Sequence, residues 1–383
     1  MPAIKPFTVK QHLEAWLHQM EQKHAPCFPE RPGAGYENNY KELAAYLDQH
    51  VHTEVERGAL LADIGNGTIT YEHAVYLNNH GPNHVKCAID RASDLLRELN
   101  LKLSPYEGFL LLAAIHFHDV GNVLGREGHE KRIGQIMASP EVAKRLGDAT
   151  EGLFIRRIAS VHGGKTEDGS KDTISTLLER DELFGQTIRP RFLSALLRFA
   201  DELADDRTRA SRFRLADGSL PPFSELFHAY SHALYSVRID HDAVHLSYEI
   251  TPATGTRTYK KTTRTSDGAK PDVEVFLLDE IYARTQKMHQ ERMYCMRFWP
   301  SECRVLEKIE VTITACLVPP ESGYPIKEER ITFTLREEGY PTGPADDANC
   351  TLCLGTSPER PTGEMLKGRL EEACRSLTER SHG

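Results

Sequence analysis

The hydrophobic positions of this chain change period once, near residue 225. Before that point they recur every three or four residues, the spacing of helices with one buried face. Beyond it they alternate in short runs, the spacing of strands. Trp16 and Met20, then Leu43, Leu47, Val51 and Val55, give apolar faces to an opening helical stretch that a Pro/Gly-rich loop at 26–35 divides. The run Ser104-Pro105-Tyr106-Glu107 is a capping box with proline at the first helical position, so a helix starts there, and Gly121-Asn122 is its expected stop. Later, 235–240 and 244–250 alternate as strands around the turn His241-Asp242. The polar, basic and aperiodic stretch 251–271 reads as a mobile loop, 272–298 as a helix, 309–317 and 329–335 as two more strands, and 363–378 as a last helix. The pattern predicts an α+β protein. A helical extension over 1–60 precedes a mainly helical domain over 61–225, and a small α+β accessory domain fills 226–383.

A few polar residues interrupt the apolar stripes. His84 leads into Ala88, Arg91 and Leu95; His118, beside Asp119, continues Leu111, Ala114 and Ile115; Asp201 follows Leu197 and precedes Ala204. Imidazoles and carboxylates facing a core are costly unless something pairs with them. Two histidines and two carboxylates converging from three helices could hold a divalent cation. Adjacent helical residues point about 100° apart, so His118 and Asp119 reach one centre only at a helix end. Gly121 is expected to supply that end. Two further histidines, His129 in the pair His129-Glu130 and His162, are flanked by Arg126, Lys131 and Lys165, and Arg209 and Arg212 follow Asp201 by two to three helical turns. These five cations are either phosphate contacts or a solvated face.

Composition narrows the class of function. A chain of 383 residues is comfortable for two domains, and its 39% hydrophobic content is ordinary for a globular protein. A net charge of −9 argues against a protein that coats nucleic acid, and means that a polyanion must find local positive potential. The first residues lack the apolar core of a secretion signal, no stretch reaches the length of a membrane span, and the eight cysteines are scattered. A cytoplasmic location without membrane contact is the simplest reading. Cys350 and Cys353 form a lone CxxC short of two zinc ligands, and the Gly-containing run 63–68 lacks the Lys-Ser/Thr end of a phosphate loop.

The order H…HD…D across roughly residues 70–215 resembles the HD superfamily of metal-dependent phosphohydrolases. Asn79-His80-Gly81-Pro82-Asn83-His84-Val85 is similar to the HGxxH entry of the family's first ligand helix, with His80 as a buttress. Ile115-His116-Phe117-His118-Asp119-Val120-Gly121 is similar to its HDxG signature, and Phe199-Ala200-Asp201 to the helix carrying its last Asp. The resemblance implies His84, His118, Asp119 and Asp201 as ligands of one divalent ion; Mn, Mg, Fe, Co, Ni and Zn are not distinguished. Such an ion would hold a phosphoryl oxygen and activate water. In relatives with two ions, histidines placed like His129 and His162 bind the second. In deoxynucleoside triphosphate hydrolases, a histidine after HD is instead an acid/base group, which Glu130 could orient. The implied activity is nucleotide phosphohydrolysis, with deoxynucleoside triphosphates as first substrate and antiphage defence by nucleotide depletion as an analogous role. The alternatives are a phosphodiesterase or nuclease acting on cyclic nucleotides or single strands, with Lys260, Lys261 and Arg264 in a basic groove, and a degenerate nucleotide sensor or partner-binding module. A homo-oligomer and a regulatory nucleotide complete the expectation.

Overall fold

The computed structural model describes residues 6–30, 35–57, 60–62, 74–76, 78–126, 128–262, 272–317, 327–336, 350–353 and 362–381. The run 63–68, Arg264 and the thiols of Cys350 and Cys353 lie outside the described residues or side chains. The protein is α+β with a mainly helical core. It divides into two compact units. One comprises Met1–Ala59, His80–Ala204 and Glu291–Val305; the other comprises Leu60–Asn79, Asp205–Gln290 and Leu306–Gly383.

The first unit is mainly helical: α1 (Leu13–His24), α2 (Tyr36–Leu47), α3 (Thr53–Arg57), α4 (Pro82–Glu98), α5 (Pro105–Phe117), α6 (His129–Met137), α7 (Pro140–Leu146), α8 (Ala149–Ser160) and α9 (Pro190–Leu203), with two short strand pairs, Phe7–Thr8 with Lys102–Leu103 and Asp181–Leu183 with Gln186–Ile188. A π-type turn, Asp48–His52, joins α2 to α3. Every residue of α5 is buried, so this helix is the axis of the unit, with α1, α2, α8 and α9 around it. A helix apolar on all sides is stable only in such a setting. Its start is fixed twice. Ser104 and Glu107 form the expected capping box, and the buried Glu107 carboxylate also accepts from the Arg189 guanidinium at 2.6 and 2.8 Å. That ion pair ties the first turn of α5 to the residue preceding α9. The N-terminal stretch is helical as its periodicity predicts, with Trp16, Met20, Leu43, Leu47, Val51 and Val55 all buried.

The second unit is built on a five-stranded sheet in the order Cys350–Cys353, Lys327–Arg336, Lys308–Leu317, Ala243–Ile250, Leu234–Asp240. All neighbours are antiparallel except the pair Lys308–Leu317 and Ala243–Ile250, which is parallel. Along Lys308–Leu317, Ile309, Val311, Ile313, Ala315 and Leu317 are buried in strict alternation. Helices α10 (Arg212–Asp217), α11 (Pro222–Ala233), α12 (Pro252–Thr256) and α14 (Gly363–Ser381) belong here, as does α13 (Leu277–Met296) through Gln290. No single described helix is long and apolar enough to cross a membrane.

Two local expectations are corrected. The stretch read as a mobile loop begins with α12, capped by reciprocal hydrogen bonds between Thr251 and Thr254, and continues as the strand Thr258–Thr262. That strand pairs with Asp272–Phe276, so 272–276 is strand and the helix starts only at Leu277. Polar side chains hid the hairpin, because its side chains do not alternate cleanly between apolar and polar.

Candidate metal centre

Three helices and two turns of the first unit deliver the site. His84 is near the start of α4, which Gly81 and Pro82 open. His118 and Asp119 lie just past α5, which ends at Phe117 rather than at Gly121-Asn122. Asp119 has φ −108° and ψ 2°, in the sparsely populated bridge region, so the pair escapes the angular spacing of a helix and both side chains reach one centre. Gly121 acts differently from the expected stop. A Cβ there would collide with the backbone carbonyl of His129, so glycine is what lets α6 begin against the HD turn. His129 is the first residue of α6, His162 follows α8 by two residues, and Asp201 is in the last turn of α9.

The six side chains form two adjoining groups. In the first, His84 Nε2 is 3.0 Å from Asp201 Oδ1, 3.6 Å from Asp119 Oδ2 and 3.3 Å from His118 Nε2. His118 Nε2 is 3.4 Å from each of the same two carboxylate oxygens. Ligands bound at about 2.0–2.2 Å in a tetrahedral or octahedral shell are separated by about 3–3.6 Å, so these spacings match the edges of one coordination shell. In the second group, the other oxygen of Asp119, Oδ1, is 3.0 Å from His129 Nε2 and 3.9 Å from His162 Nε2, and those two nitrogens are 3.2 Å apart. Asp119 therefore offers one oxygen to each group.

The tautomers decide what these contacts are. Nδ1 of each histidine faces a backbone carbonyl: His84 that of Ala204 at 3.2 Å, His118 that of Ile115 at 2.6 Å, His129 that of Arg126 at 3.0 Å, and His162 that of Ala159 at 2.7 Å. A carbonyl only accepts, so each Nδ1 carries a proton and donates it, which leaves Nε2 of each ring as the atom turned inward and available to a ligand. Nε2 atoms 3.2 and 3.3 Å apart, with carboxylates beside them, are spaced as ligands around a cation are. His84, His118, Asp119, His129 and His162 are all buried; Asp201, with 26% of its side chain exposed, is the most open of the six.

The electrostatics agree. Burial works to lower the pKa of His118, but Asp119 and Asp201 hold it well above the ordinary imidazole value. Burial works to raise both carboxylates, but His118 holds them well below the usual carboxylate range. The potential that favours a positive charge on His118 equally favours a divalent ion. His162 is pushed down to about 4 by burial and by His118, so it is a neutral imidazole near neutral pH, the form able to ligate a metal.

Among the remaining sequence candidates, Arg126 is brought to the site, with Nη1 3.6 Å from Asp119 Oδ1 on a half-exposed side chain. Glu130 Oε2 is 3.4 Å from His129 Nδ1, farther than the Arg126 carbonyl that this nitrogen already faces. Lys131 and Lys165 are exposed on the unit that holds the site. Arg209 and Arg212 belong to the other unit, where Arg209 Nε donates to the Asn79 carbonyl and Arg212 is exposed. The His80 ring lies 5.5 Å from that of His84, tilted by 59°, beside the first group. A third group of ligand type, Asp48, His52 and His116, is absent from the motif reading. The i, i+4 spacing of Asp48 and His52 is the signal that could have found it.

Neither curated proteins nor solved structures yield a match to the chain. The HD-CE family model does match, over residues 59–269, a span that holds all six ligand-type residues of the two adjoining groups. With more than half of its length matched and an HD-type ligand set assembled in the first unit, the chain belongs to the HD-CE family.

Proposed function

We propose that this protein is a two-metal phosphohydrolase acting on nucleotides, with deoxynucleoside triphosphates as the first substrates to test. The observation that carries the reading is the division of Asp119 between the two groups, Oδ2 in one and Oδ1 in the other. His84, His118, Asp119 and Asp201 would hold one divalent ion, and Asp119, His129 and His162 the second. Two such ions, when bound, polarise the phosphoryl oxygens and lower the pKa of a water near neutral pH.

The protein's own residues do the rest. The four Nδ1–H donations lock the imidazoles in the ligating tautomer. Arg126, beside Asp119, supports the non-bridging oxygens of a phosphate, for which a guanidinium fork is suited. Lys131 and Lys165 supply the positive potential that a chain of net charge −9 needs to draw in a polyanion. The geometry of His129 favours the ligand role over a free acid/base role, because its Nε2 faces Asp119 and His162 rather than solvent.

That same geometry favours a second reading. Paired ions suit in-line cleavage of a phosphodiester, where attacking and leaving oxygens both need stabilisation. Cyclic nucleotides and single strands are then the substrates. The test is a turnover screen with Mn, Mg, Co, Ni, Fe and Zn against nucleoside triphosphates, cyclic nucleotides and short strands, with products identified by mass. Asp119→Ala is expected to lower kcat/KM by roughly a thousandfold, about 4 kcal/mol, and to lose metal from both groups. Binding without turnover under every metal would leave a nucleotide sensor and end the phosphohydrolase reading.

A further inference from the structure

Behind the HD turn, the first unit buries a second set of ligand-type side chains that shares no residue with the two groups above. Asp48 Oδ1 is 3.9 Å from His52 Nε2 and 3.7 Å from His116 Nδ1, and the two imidazole rings are 5.9 Å apart. His52 is fully buried and His116 is 3% exposed. Asp48 Oδ1, both ring nitrogens of His52 and Nδ1 of His116 are buried atoms with no hydrogen-bond partner. These distances are too long for hydrogen bonds, and lie a few tenths of an ångström beyond the separations of about 3–3.6 Å between ligands of an ion bound at about 2.0–2.2 Å, a gap that small side-chain shifts close. A core that leaves Asp48 Oδ1, His52 Nε2 and His116 Nδ1 unpaired beside one another is costly unless something joins them.

The hydrogen bonds around the cluster fix which lone pair points inward. Tyr40 Oη donates its one proton to Glu14 at 2.6 Å, so at 3.1 Å from His116 Nε2 it must accept. His116 therefore carries its proton on Nε2 and presents a bare Nδ1 to Asp48. A lone pair facing a carboxylate is repulsive until a cation lies between them. The chain from ring N–H to hydroxyl to carboxylate is also the outer arrangement that metal-bound histidines use to hold their orientation. On the other side, the π-type turn Asp48–His52, closed by the Thr53 N–H donating to the Asp48 carbonyl five residues back, brings Asp48 and His52 into line. The Asp48 side chain is 42% exposed, which leaves a path from solvent.

We propose that Asp48, His52 and His116 form a further cation site, separate from the HD centre, that takes a first-row divalent ion and fastens the turn between α2 and α3 to the end of α5. Two imidazoles and one carboxylate suit Zn, Co, Fe, Mn or Ni, and water can complete the shell on the open side.

Metal counting on the full chain tests this. The protein is stripped with chelator, dialysed, reloaded with Zn(II) or Co(II), and its bound ions are counted by mass spectrometry of the elements. Asp48→Ala and His52→Gln should each bind one equivalent fewer than the parent, with a matching loss of Co(II) visible absorption. In an Asp119→Ala background, which disables the HD groups, one equivalent should remain, and Zn(II) should raise the unfolding temperature. Adding Asp48→Ala to that background should abolish both. Equal stoichiometry with and without the Asp48 carboxylate overturns the proposal, as does an Asp119→Ala protein that binds no ion. Should His52→Gln fail to fold, the part-exposed Asp48 position still decides. None of these readouts depends on turnover, so failure of the phosphohydrolase reading leaves the result intact.

Discussion

Gly121 shows how one residue can be selected by what it lacks. Its φ is ordinary, so backbone freedom is not the reason for glycine. The reason is the His129 carbonyl packed where a side chain would start. Gly121→Ala should push α6 outward, lower stability by about 1–3 kcal/mol in thermal unfolding, and weaken ion binding at His129 and His162 more than at His84. The buried histidines set a second expectation at this scale. His162 is held near 4 by burial and His118, and His116 near 3 by burial and His118, against about 6.5 in an unfolded chain. Between about pH 6.5 and pH 4 the unfolded state then binds more protons, so stability falls as pH falls through that window. Asp48, pushed up to about 6 by burial and by Glu14, acts in the opposite sense, but two histidines outweigh one carboxylate. Protein held in chelator should therefore lose unfolding temperature from pH 6.5 to pH 4. A flat profile would mean that these rings are solvated and not ligands in waiting.

At the scale of elements, α5 matters most, because it carries the HD turn and is buried on every side. Ser104→Ala removes one half of its capping box and should cost about 1 kcal/mol, read as a lower melting temperature with metal content unchanged. The start of this helix was legible because a capping box is a local signal. Its end was not: Phe117, His118 and Asp119 carry no stop residue, and the break is imposed by packing and by α6 crowding Gly121. The same distinction separates the strands. Lys308–Leu317 was read correctly because its inward face is apolar at alternate positions. The Thr258–Thr262 hairpin was missed because its pairing partner, not its own pattern, makes it a strand. In the site, the histidines and carboxylates were legible as anomalies on apolar stripes. The sharing of Asp119 between two groups was not, since which oxygen faces which imidazole is settled only in three dimensions. The Asp48, His52 and His116 set escaped because His116 sits inside a run where every neighbour is apolar, and one buried histidine there has bland explanations.

At the scale of the whole molecule, the chain returns to the first unit after building much of the second. The returning piece, Glu291–Val305, is not decoration. Arg198 on α9 is buried and pairs with both oxygens of Glu291 at 2.7 and 2.9 Å, its guanidinium lies over the Tyr294 ring, and Tyr294 Oη donates to Asp172 at 2.9 Å. Cutting the chain after Ala204 or near residue 225 would leave Arg198 a buried charge without its partner, a loss of about 3–5 kcal/mol for a broken buried pair. Such fragments should melt well below the full chain and exchange amide protons quickly along α9. A fragment ending after Val305 should recover much of that loss within the helical unit.

The order of synthesis follows from this threading. A ribosome releases His84, His118, Asp119, His129, His162 and Asp201 long before it releases Glu291 and Tyr294. For that interval every ligand of the candidate centre exists, but the helix that carries Asp201 lacks the clamp on Arg198. The nascent chain therefore carries the complete candidate ligand set, with the Asp201 helix not yet clamped, while the next unit is being made. If the centre takes an ion, its capture and the closing of the helical unit are expected to be late, coupled events.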